Sequence, residues 1–128
     1  MSQSIASNPS EADDEAQVVA KAAIRAAALL DIPNTVLAKV LGVSEASVSR
    51  MRAGKFSLEQ SSKSFELSVL FLRLFRSLDA IVGGDPAAAR SWLRTENTAL
   101  RGMPLTLIQS VTGLTQTVQY VDARRARI

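Results

Sequence analysis

Over Ser44–Arg52 the chain places three hydroxyls (Ser44, Ser47, Ser49), a carboxylate (Glu45) and two guanidinium groups (Arg50, Arg52), with Lys39 upstream and Lys55 downstream. Short hydroxyl side chains and arginines hydrogen-bond the edges of bases in a major groove. Flanking lysines suit the phosphates beside it. Ser44 can cap a helix whose amino terminus, with its partial positive charge, faces a phosphate. Glu45 repels phosphates, yet a carboxylate can also accept from a cytosine amino group. The set therefore points to recognition of double-stranded DNA. A plainer account is an antiparallel helix pair whose outer face is merely solvated.

The surrounding pattern favours the first account. Asn34–Leu41 reads as a short helix, Gly42 as a turn residue tolerant of positive φ, and Glu45 to about Ala53 as a second helix ended by Gly54. Where two such helices cross steeply a small side chain is needed, and Ala38 supplies it. Leu37, Leu41, Val43, Val48 and Met51 fall where a helix-turn-helix must be knitted to a core.

The expected fold class is all-α. Residues 1–15, rich in serine and acid, read as a flexible acidic arm, and 16–63 as the helix-turn-helix domain. From Ala16 the apolar positions Val18, Val19, Ala22, Ala26, Leu29 and Leu30 recur at helical spacing, and Pro33 closes that element. Ser57–Gln60 has the spacing of a capping box. A long helix from Ser64 to Val82 is apolar nearly all round and must be covered on several sides. That makes it a spine between subdomains or a dimer interface. Residues 64–128 form this spine and a small helical subdomain. There Asp85–Pro86 starts a helix to about Leu93, Pro104 starts one to about Thr112, and Gly113 separates it from a final helix, Leu114 to Ala126.

Composition excludes several functions. The 128 residues contain no cysteine and no histidine, which removes disulfides, thiol nucleophiles and the usual proton-transfer group. A zinc site would have to be all-carboxylate, so neither metal nor cofactor is expected. Aromatics are 5% of the chain, too few for stacking single-stranded bases. The net charge is +3, but the first fifteen residues hold four of the twelve acidic residues and no basic one. That leaves 15 basic against 8 acidic residues, or +7, a body suited to a polyanion. The amino-terminal stretch lacks a basic region followed by an apolar block, and the Phe65–Val82 segment is interrupted by Glu66, Arg73, Arg76 and Asp79. A cytoplasmic protein is expected.

The carboxy-terminal half carries a resemblance. Trp92-Leu93, Asn97, Leu100, Gly102 and Pro104-Leu105, followed by Gly113 and Val118, resemble in type and spacing the toxin-binding domain of Xre/MbcA/ParS-type antitoxins. Glu96 stands where the family often has proline, Arg101 precedes the glycine, and the usual glycine-containing finish is absent before Ile128. The resemblance implies a type II antitoxin. Such a protein neutralises a cognate toxin, commonly a RES-domain enzyme that consumes NAD, by covering its active-site cleft. It also represses its own operon through the helix-turn-helix.

Arg124, Arg125, Arg127 and the terminal Ile128 are the expected toxin-binding residues, because a cleft that holds a pyrophosphate can pair with arginines and a carboxylate. Three arginines at a helix carboxy terminus also complement the helix dipole without any partner. Trp92, the only tryptophan, is expected in the core of the small subdomain rather than at an interface. A homodimer is expected, since half-sites one turn apart are normally read by twofold pairs. The alternative is a plain dimeric helix-turn-helix repressor with no toxin partner. An enzyme built on Tyr120 with Asp122, or Glu96 with Arg94, is disfavoured because residues two apart on a helix point to different faces.

Overall fold

The computed structural model describes residues 9–55, 58 and 62–128, with side chains from residue 14 onward. Seven helices and no strand are found among them: α1 (Pro9–Leu29), α2 (Asn34–Leu41), α3 (Glu45–Arg52), α4 (Lys63–Ile81), α5 (Pro86–Leu93), α6 (Pro104–Leu107) and α7 (Val111–Arg125). The all-α expectation is met, and the order is a helix-turn-helix, a long helix and a small helical carboxy-terminal part.

Local chemistry explains most of the boundaries. Ser44, Ser62, Asp85 and Ser110 each sit in extended backbone before a helix and accept from a backbone N–H in its first turn. Gly42 closes α2 at φ 70°, and a Cβ there would stand 3.0 Å from Leu67 Cδ1 of α4. The positive φ favours glycine, and a larger residue would also have to displace the end of the Leu67 side chain. Pro33, expected to end the first element, is instead the residue before α2, while α1 stops at Leu29. The expected capping box at Ser57–Gln60 lies largely outside the described residues; the cap of α4 is Ser62.

Two expectations are corrected. Residues 9–15 of the expected arm are helical, because α1 begins at Pro9, and residues 1–8 lie outside the described residues. Proline fits the first helical position, where its missing N–H has no acceptor to lose. The second correction concerns the helix expected from Pro104 to Thr112. It ends at Leu107, and Gly113 lies inside α7 rather than before it. A Cβ on Gly113 would stand 1.9 Å from the Leu107 carbonyl oxygen, so this glycine lets α6 and α7 meet backbone to backbone.

The core is continuous. Alanines 16, 20, 23, 26 and 27 form the buried stripe of α1 and let it lie close to α4. Phe71, Leu74 and Leu78 of α4 share one buried cluster with Leu30, Leu37 and Leu41 of the amino-terminal half and Leu93, Leu114 and Val121 of the carboxy-terminal half. Helix α4 packs against α1, α2, α5 and α7 and, beyond its first residue, exposes only a strip holding Glu66, Val69, Arg73, Arg76 and Ala80. Its apolar width is thus taken up within one chain. No helix among the described residues is long and apolar enough to cross a membrane.

Candidate DNA and partner interfaces

Leu37, Leu41 and Val48 are fully buried, and Ala38 and Met51 nearly so, which anchors α2 and α3 to α1 and α4. That anchoring leaves Ser44, Glu45, Ala46, Ser49 and Arg50 at the outer side of α3, with Lys39 exposed on α2 and Lys55 exposed just beyond Gly54. A rod with one buried face and a hydroxylic, cationic outer face is what entry into a major groove requires.

Ser47 departs from the expected set. It is only 9% exposed, because it occupies the third helical position, where its N–H donates to the Ser44 cap at 3.0 Å. Its hydroxyl accepts from Ser44 Oγ at 3.0 Å and from Arg50 Nη2 at 3.3 Å. Ser47 therefore shapes the amino terminus of α3 and steers Arg50 instead of facing outward. Arg52 is exposed but engaged: its Nε donates to Asn34 Oδ1 at 2.6 Å and its Nη2 to the Ile32 carbonyl at 3.0 Å. Asn34 in turn donates to Ser49 Oγ at 3.4 Å, tying the start of α2 to the outer face of α3. Asn34, which braces two of the expected site residues, was not anticipated. Nothing local in the sequence marks it, since its partners lie 15 and 18 residues away.

At the other end of the molecule the tail residues divide into two pairs. Arg124 donates to the Tyr120 hydroxyl at 2.9 Å and lies 5.8 Å from that ring's centroid. Arg125 reaches Ser77 Oγ at 3.5 Å, where Ser77 donates to Asp122 at 2.6 Å and Asp122 also pairs with Arg73 at 2.6 Å. Arg127 and Ile128 lie beyond α7 and are exposed, Ile128 at 80%. Trp92 is half-buried against the core and stacked on Tyr120, with ring centroids 6.4 Å apart.

The two ends meet at the α1–α2 link. Arg90 donates to the Leu29 carbonyl at 2.9 Å; Arg94 donates to Leu30 at 3.1 Å and to Asp31 at 2.7 Å. With Arg52 on Ile32, four consecutive carbonyls each accept from an arginine; Arg90 lies in α5 and Arg94 directly follows it. Leu29 is the last residue of α1 and the other three carbonyls belong to the turn that follows it, where no regular backbone ladder supplies donors.

Fold and site define a two-part helical protein: a helix-turn-helix with a hydroxylic, cationic outer face, joined through α4 to a small helical half. Comparison with family models makes the class specific. The antitoxin Xre-like helix-turn-helix domain matches residues 10–73, and the antitoxin Xre/MbcA/ParS C-terminal toxin-binding domain matches residues 77–127. The chain belongs to the Xre-type antitoxins. No curated protein matches it. The reading of a repressor without a toxin partner gives way, because the second half of the chain is a toxin-binding domain.

Proposed function

We propose that this antitoxin neutralises a RES-type, NAD-consuming toxin by laying its carboxy-terminal tail across the toxin's active-site cleft. We also propose that it represses its own operon, in the cytoplasm, as a homodimer that presents two copies of α3 to neighbouring half-sites. The observation that carries the reading is the division of the tail. Arg124 is engaged by Tyr120 of its own helix and Arg125 reaches Ser77 of α4, while Arg127 and Ile128 stand clear of the chain's own core. A cation and an apolar side chain just beyond the end of a packed helix can enter a cleft built for an anionic dinucleotide. Twofold pairing supplies the DNA contact area that a single short helix lacks.

Co-expression with the product of the adjacent reading frame tests this. The full chain should co-purify with that product and protect cells from it. A chain ending at Asp122 should keep its affinity for DNA and lose the protection. Full protection by the shortened chain would move neutralisation to another surface.

A further inference from the structure

A groove of about 290 Å³ separates α1 from the carboxy-terminal end of α3. Ile24 and Met51 give it apolar walls, Lys21 and Arg25 line it from α1, and Arg52 and Gly54 line it from the α3 side. No carboxylate lines it among the described residues, and α1 carries no acidic residue after Glu15. Lys21 and Arg25 are exposed, lie one helical turn apart on the same face, and form no ion pair among the described residues. Arg52, the cation of α3 nearest this flank, is held by Asn34 and the Ile32 carbonyl. Among the described residues, the positive charge of the flank that is not tied up in a side-chain bond therefore comes from α1, which belongs to the helix-turn-helix domain but precedes the α2–α3 pair itself.

We propose that this groove seats the sugar–phosphate backbone of the duplex that α3 enters, with Lys21 and Arg25 each neutralising a phosphate. The apolar walls match a deoxyribose and the paired cations match the anions on either side of it. The acidic start of α1 lies at least one and a half turns away, around Asp14, and marks where the strand leaves the protein. The inference rests on the reading of α3 as a duplex-facing helix and extends the footprint along one strand. Contacts of this kind add affinity and orientation but no sequence information.

The test measures binding to a mixed-sequence duplex of roughly 20 base pairs, two helical turns, as salt rises from about 50 to 200 mM. Each phosphate deprived of its cation makes the slope of log affinity against log salt shallower by about 0.9. Lys21→Ala/Arg25→Ala should therefore flatten the slope by about 2 per protomer, and each single variant by about 1. The charge-preserving Lys21→Arg/Arg25→Lys should keep the slope of the unmodified chain. Discrimination among sequences should be unchanged in all four, in contrast to Arg50→Ala. An unaltered slope in the folded double variant, with normal duplex binding by the unmodified chain, overturns this groove alone. Failure of the unmodified chain to bind any duplex overturns the reading of α3 as well.

Discussion

At Gly113 one hydrogen atom decides how α6 and α7 meet. An added methyl would stand 1.9 Å from the Leu107 carbonyl oxygen and 2.7 Å from its carbon, and neither belongs to a side chain that can swing away. Gly113→Ala should therefore cost about 2–3 kcal/mol in chemical denaturation and weaken toxin capture. Binding of DNA by the remaining folded protein should change little, because α2 and α3 lie in the other half. A variant as stable as the original would mean that the corner relaxes freely. The role of Gly113 was not legible in the sequence, where a glycine that ends a helix and one that permits close packing look alike. Ser47 misled for a related reason: serine suits an outer recognition face and an inner turn equally well, and only the Ser44 cap decides between them.

Among the elements, the link between α1 and α2 is governed from a distance. Its carbonyls are met by arginines 61 and 64 residues further along the chain. Arg94 spans two of them with one planar fork, a geometry that an ammonium group cannot copy. Arg94→Ala should cost about 1 kcal/mol, a fall of roughly 4 °C in Tm, and Arg94→Lys should not restore it. Recovery in the lysine variant would reduce the contact to simple charge. Helix order and nearly every boundary from α2 to α5 were readable because proline, glycine and capping residues act on their immediate neighbours. The arginine bridge and the Ser77–Asp122–Arg73 cluster were not, because hydrogen bonds spanning a third to a half of the chain leave no periodic trace.

For the molecule as a whole, α4 is the decisive part. The helix-turn-helix match ends at residue 73 and the toxin-binding match begins at residue 77, both inside the unbroken helix Lys63–Ile81. Both domains were legible in the sequence, one from its residue pattern and the other from its resemblance. Their junction was expected at residue 63 or 64, at the start of the helix. A seam in mid-helix has no hinge, so a graft between relatives has to conserve length as well as chemistry. One surplus residue at the join would swing the distal half by about 100° and advance it by about 1.5 Å. That would carry Arg90 and Arg94 away from the carbonyls they serve. Equal-length chimaeras spliced at Leu74 should fold and retain DNA binding, whereas versions one residue longer should melt at lower temperature. Equal stability in the two sets would show that the halves are inherited as loose beads. The geometry of α4 makes them a single keyed shaft, in which the angular register of the two halves is set by the residue count between them.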